Sequence, residues 1–148
     1  MNGAVCYYPW KLFSYECGLV LGMDIIRSQT TILFYLGLFL LTCFLESIFY
    51  FIAGKIQKLT NLKIIEQILV LNLATHPIVF FVFPYVLEKA GANIFTYIWI
   101  AEYFAFAVEA VILKFRYRYS WKLAIQTSGL ANLFSWTAGV WLQAMNLL

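Results

Sequence analysis

Residues 30–54, "TTILFYLGLFLLTCFLESIFYFIAG", form an apolar run with a single charged side chain, Glu46. A run of this length decides much of what the chain can fold into. At about 1.5 Å per residue a helix of that many residues crosses a hydrocarbon layer of roughly 30 Å. Inside lipid the backbone has to satisfy its own hydrogen bonds, and the run lacks strand-like alternation, so it reads as a helix. Three further runs follow, at 65–87, at 94–115 and from 123 to the C-terminus.

Composition points the same way. The 148 residues are 64% hydrophobic and 11% charged, with a mean hydropathy of +0.82. A soluble domain is nearer half apolar and about a quarter charged, so this chain has too few charges to coat itself in water. The expected fold class is an all-α integral membrane protein, a four-transmembrane-helix bundle occupying 30–148 as one domain. Residues 1–29 read as an N-terminal tail, irregular or interfacial, rich in Tyr and Trp. Lys11 and Glu16 interrupt its apolar stretch and no charged n-region precedes it, so it is not read as a secretory signal. Met23 offers an alternative start, "MDIIRSQTT".

Lys and Arg indicate orientation. Lys55, Lys58 and Lys63 follow the first run, and Lys114, Arg116, Arg118 and Lys122 follow the third. Only Lys11, Arg27 and Lys89 lie on the opposite side. The positive-inside rule then places the two basic loops in the cytoplasm of a cell (inner) membrane protein, with both termini outside. The net charge of +3 is too small and too scattered for a nucleic-acid partner. The expected partners are the lipid bilayer and either further copies of the chain or another membrane protein.

Ionisable groups inside the runs carry the functional signal. Glu46, His76, Glu102 and Glu109 lie there with no Lys or Arg well inside a run to neutralise them. Each costs about 2.5–3.5 kcal/mol on insertion scales and normally faces the bundle interior. Glu102 and Glu109 share a helix face with Ala105 between them. Asn72, Thr75 and His76 fall within about a third of the circumference of the second helix. Thr42, Cys43 and Glu46 share a side of the first. On the fourth, Ala124, Ser128, Ala131, Asn132, Ser135 and Gly139 make a small-and-polar stripe of the kind that packs helices in lipid.

Depths along the helices suggest two polar layers, one of Glu109 with Asn72, Ser128 and Glu46, the other of Glu102 with His76 and Asn132. Pro77 leaves the Leu73 carbonyl without its donor, and Pro84 does the same for Phe80. Tyr117, Tyr119, Trp121, Trp136 and Trp141 suit interfacial belts. Bland readings stand beside each feature: a tolerated kink, packing for the stripe, hydrogen-bond glue for the two Asn, a satisfied pair for His76.

Cys6, Cys17 and Cys43 form no CxxC pair, and a single His excludes a two-His metal site. HExxH, GxSxG, P-loop and GxGxxG patterns are lacking, as is any cofactor signature, so no cofactor is expected. The C-terminal "MNLL" is no prenylation box. Three functions fit. The first is a proton or small-cation transporter or channel subunit working as an oligomer through Glu46, Asn72, His76, Glu102, Glu109 and Asn132. The second is a non-catalytic subunit whose carboxylates pair with a partner chain. The third is a membrane hydrolase or transferase with His76 and Glu102 as general base.

Overall fold

The structure, a computed structural model, describes residues 29–145 and is all-helical among them. The N-terminal tail with Cys6 and Cys17 lies outside the described residues. Helix α1 covers Gln29–Ile56 and α2 covers Asn61–Pro77. A π-helical turn, Ile78–Val82, joins α2 without a break to α3, Phe83–Lys89. Helix α4 covers Ile94–Phe115 and α5 covers Trp121–Ala144. Two continuous stretches, Ile32–Ile56 and Asn61–Leu87, are long and apolar enough to cross a membrane, with mean hydropathies of 2.2 and 1.7. Only 17% and 22% of the apolar 18-residue window in each is buried, whereas the core helix of a soluble protein is mostly buried.

Local chemistry sets each boundary. Leu59 N–H reaches back to the Gly54 carbonyl (2.9 Å) while Lys58 takes a left-handed φ of 58°, which ends α1. The Thr60 hydroxyl accepts the Lys63 N–H at the start of α2, and the Asn93 side chain accepts the Thr96 N–H at the start of α4. Gly91, at φ +70°, closes α3 with Ala92 N–H on the Leu87 carbonyl. Ser120 Oγ accepts from Leu123 N–H as α5 begins. These short connections turn the chain back on itself at each end.

The π-helical turn corrects the carbonyl expected to be freed by Pro84. Phe83 N–H donates to the Ile78 carbonyl, five residues back. In that register the Val79 carbonyl, not that of Phe80, is the one facing the missing Pro84 donor. Tyr97 Oη on α4 fills the vacancy, donating to the Val79 oxygen at 3.0 Å.

The helices form a ring in which α1 packs on α2 and α5, and α4 packs on the same two. Gly54 permits the closest α1–α2 approach, because a Cβ there would lie 2.5 Å from Ile64 Cγ1. At the Lys/Arg-rich end a tight core joins Tyr50, Leu71, Leu113, Tyr117, Tyr119 and Ala131. Tyr117 and Tyr119 are thus buried, not in the interfacial belt expected of them. Their loop folds inward, with Tyr119 N–H bonded to the Leu113 carbonyl and Tyr119 Oη to Gln67 Oε1. Trp121 and Trp141 do face outward.

Polarity is inverted relative to a soluble bundle. Outward positions on every helix of the ring are large and apolar: Phe44 and Leu33, Leu73 and Ile65, Trp99 and Phe115, Leu133 and Trp141. Buried positions include Glu46, Gln67, Asn72, Thr75, Glu109, Thr127, Ser128 and Asn132. An apolar coat on this scale is far more than a soluble monomer exposes.

Candidate functional site

Glu109 is the centre of the polar interior. It sits on α4, 1% exposed, and is reached by side chains of α1, α2 and α5. Its Oε2 accepts from Tyr50 Oη on α1 at 2.5 Å, and from Ser128 Oγ (3.2 Å) and Asn132 Nδ2 (2.5 Å) on α5. Its Oε1 accepts from Thr75 Oγ1 on α2 at 3.2 Å. Four donors from three helices converge on one carboxyl.

Glu46 is the second centre, 2% exposed on α1. Asn72 Nδ2 donates to its Oε2 and Ser135 Oγ to its Oε1, both at 3.0 Å. The two centres are linked by α5: Asn132 donates to Glu109, and the backbone carbonyl of Asn132 is a second acceptor for Ser135 Oγ at 3.1 Å. Glu46 therefore belongs with Glu109, as the layer expectation has it.

The partners differ from that expectation in two places. Asn72 bonds to Glu46 and to the Ile68 carbonyl, not to Glu109. Asn132 bonds to Glu109, not to Glu102. The antiparallel fit of α4 on α5 explains the second. Ser128 Oγ also touches the Phe106 carbonyl (3.0 Å), which sets Asn132, one turn on, against Ala105. In that register Asn132 Nδ2 reaches Glu109 Oε2, and Glu102, two turns from Glu109 on the same helix, lines the cavity instead.

A cavity of about 150 Å³ extends from these centres toward the 90–93 end. Glu46, Glu102, Glu109, His76, Asn132 and Trp136 contribute to its wall, and no Lys or Arg does. Its deep end is fully buried, while Thr42, His76, Val79, Glu102 and Trp136 are half-buried, so it opens on their side. A space this large and polar accommodates several waters, each of which needs only about 10–15 Å³ by the same measure. Glu102 accepts no side-chain hydrogen bond among the described residues. His76 does not bond to it. The imidazole Nε2 lies 3.5 Å from Thr42 Oγ1, Nδ1 is buried without a partner, and Tyr35, Phe39 and Phe80 surround the ring.

The hydroxyl donors share a property with chemical consequences. Thr75 Oγ1 has the Leu71 carbonyl at 3.1 Å, Ser128 Oγ has that of Phe106 at 3.0 Å, and Ser135 Oγ has that of Asn132 at 3.1 Å. Each hydroxyl carries one hydrogen and two acceptor sites. When a carboxylate is ionised, the hydroxyl donates to it. When the carboxyl is protonated, the hydroxyl turns to its backbone carbonyl and accepts the carboxyl proton instead. Both states leave every buried polar atom of this set paired, so protonation costs no orphaned group.

Sequence reading missed Tyr50 and gave Thr75 only a face. Tyr50 stands in an apolar run with no pattern to separate it from lipid-facing aromatics, although it lies on the Glu46 side, four residues on. Ser128, expected both in the packing stripe and in the layer with Glu109, donates to Glu109, and Ser135, expected only to pack, donates to Glu46. A Cβ on Gly139 would meet nothing within 4 Å, so the packing role expected for that glycine is not made among the described residues. No family model, curated protein or solved structure matches the chain.

Proposed function

We propose that the chain is a multi-pass membrane protein of four spans and that its Glu46–Glu109 network takes up and passes on protons. In this reading it is a subunit of an oligomeric proton or small-cation transporter or channel. Four spans are supported by the apolar coat, which includes Trp99 and Phe115 on α4 and Leu133 and Trp141 on α5. The Lys and Arg distribution supports basic loops in the cytoplasm and termini outside.

The observation that carries the proton reading is the paired set of acceptors around Glu46 and Glu109. It holds the same side chains in place whether or not the carboxyls are protonated. A dehydrated metal cation would instead need several oxygens free of competing donors. Here all four oxygens of the two carboxyls already receive hydrogens. Glu102 and His76, on the open side of the cavity, are the groups a proton would meet first. Asn72 and Asn132 fix the carboxyls and hand no proton on.

The two other functions draw less support. Internal donors satisfy Glu46 and Glu109, so neither calls for a partner's cation; Glu102 alone retains that need. A His76–Glu102 general base lacks the hydrogen bond that would orient it.

Proteoliposomes containing an internal pH indicator test the reading. Under an imposed potential, wild-type vesicles are expected to acidify and Glu109→Gln vesicles to lose most of that flux. Glu102→Gln is expected to slow the flux more mildly. Wild-type flux no greater than that of empty vesicles, across both signs of potential, refutes the proposal.

A further inference from the structure

A second cavity lies at the opposite end of the molecule, on the Lys/Arg-rich side. It has a volume of about 460 Å³ and is walled by Leu59, Lys63, Glu66, Arg116, Tyr117 and Arg118. Three cations face one carboxylate there. Both oxygens of Glu66 are already committed, Oε2 to Lys63 Nζ at 2.7 Å and Oε1 to an Arg116 Nη at 2.9 Å. Each of those cations still has N–H groups to offer, since a lysine carries three and an arginine five. Arg118 makes no ion pair among the described residues, and its φ of 58° holds it in a left-handed turn between Tyr117 and Tyr119.

Tyr117 adds the telling feature. The residue is 8% exposed, and its buried hydroxyl lies beside the Arg116 side chain without a hydrogen bond of ordinary geometry. The Arg116 guanidinium lies 5.9 Å from its ring. An unpaired buried hydroxyl is expensive unless a ligand completes it. A phosphate entering this cavity would meet two guanidinium groups together, with a lysine behind them, and as Arg116 turns onto it the buried Tyr117 O–H beneath gains an acceptor.

The geometry points to a phosphate-binding site, for the phosphate of an anionic lipid headgroup or of a soluble phosphate ester. Arginine forks match phosphate oxygens in pairs, which lysine and bulk charge do not. Diffuse attraction of basic loops to anionic membranes is a weaker, geometry-free effect, and the test has to separate the two. This inference concerns a different site from the carboxyl network and stands whether or not that network carries protons.

Native mass spectrometry of the purified full chain provides the test, with phosphatidylglycerol as one probe and inorganic phosphate as the other. The double variant Arg116→Gln/Arg118→Gln is expected to weaken binding about tenfold or more. Tyr117→Phe, which keeps ring and charge, is expected to weaken it about three- to tenfold. Lys58→Gln/Lys122→Gln removes the same charge outside the cavity and should leave binding unchanged. That pattern with the lipid assigns a headgroup site, and the same pattern with inorganic phosphate assigns a soluble ligand. Equal losses in the two double variants, no effect of Tyr117→Phe, or no binding of either probe overturns the proposal. Helical content by circular dichroism confirms that each variant is folded.

Discussion

Replacing Glu109 by Leu removes four hydrogen bonds from a site that is almost wholly buried. Counted singly, at about 1 kcal/mol each, they would sum to about 4 kcal/mol. The structure argues for less. Thr75 and Ser128 fall back on the carbonyls of Leu71 and Phe106, and Asn132 Nδ2 keeps the Ser128 carbonyl at 3.0 Å and Ser128 Oγ at 3.3 Å. Only Tyr50, fully buried, loses its sole acceptor. One orphaned hydroxyl costs about 1–3 kcal/mol, and that is the expected destabilisation.

The decisive comparison is a double-mutant cycle with Tyr50→Phe. Alone, that change removes one donor from a carboxyl that has three others and should cost about 0.5–1.5 kcal/mol. In the Glu109→Leu background it removes the orphan and should restore about 1–2 kcal/mol of stability. The double variant is thus expected to be more stable than Glu109→Leu alone. Reversible unfolding in mixed micelles, followed by tryptophan fluorescence, gives the four free energies. Additive effects, with the double variant the least stable of the set, would show that Tyr50 does not depend on Glu109 and would refute this account of the network.

Other positions give independent checks. Gly54→Ala should destabilise by about 1–3 kcal/mol, because its Cβ would meet Ile64 Cγ1 at 2.5 Å; Ile64→Ala in the same chain should relieve part of that cost in the same unfolding assay. Burial pushes the Tyr119 phenol up to about 12. A folded pKa above the unfolded value of roughly 10 means that this stabilisation is complete below about pH 10 and is lost as pH rises through about 12. Absorbance titration of tyrosinate should show a late-ionising component that disappears in Tyr119→Phe. With Cys6, Cys17 and Cys43 replaced by Ser, a membrane-impermeant thiol reagent added outside cells should label Lys89→Cys and spare Lys58→Cys and Lys122→Cys; the reverse pattern refutes the orientation.

Much of the fold is legible in the sequence because lipid-grade apolar runs leave few options. The bounds expected for the third run, 94–115, coincide with α4, where Asn93 caps one end and the basic loop closes the other. One polar face per helix was readable from periodicity, and those faces do converge. Which partner each side chain takes was not readable, since it depends on the relative sliding of neighbouring helices. Glu102 and Glu109 lie about two turns apart, roughly 10.5 Å, so a slide of that order decides which of them Asn132 reaches. The π-helical turn was hidden for a related reason: Pro77 and Pro84 announce missing donors but not the register that follows. Tyr117 and Tyr119 illustrate the weakness of composition at an interface, where an aromatic beside a basic loop suits the membrane boundary and the core equally well.

The polar interior is asymmetric, and that asymmetry bears on how a proton could cross. On one side Glu109 communicates with the cavity that Glu102 and His76 border. On the other it meets Tyr50, and beyond Tyr50 the packed core continues with Ala53, Leu113 and Ala124. The next polar pair toward the basic loops is Gln67 with Tyr119, and Gln67 Nε2 is buried without a partner there. On the proposed function, a carboxyl network with interchangeable acceptors would serve half of a path, and the other half would need this core to loosen or a second copy to line a route around it. The close α1–α2 contact at Gly54 and Ile64 adjoins Ala53 of the same core. Substitutions at that contact are consequently expected to change flux by altering the closed end, while leaving the protonation chemistry of Glu109 in place. An unchanged flux in a folded Gly54→Ala protein would instead direct attention to the interface between copies.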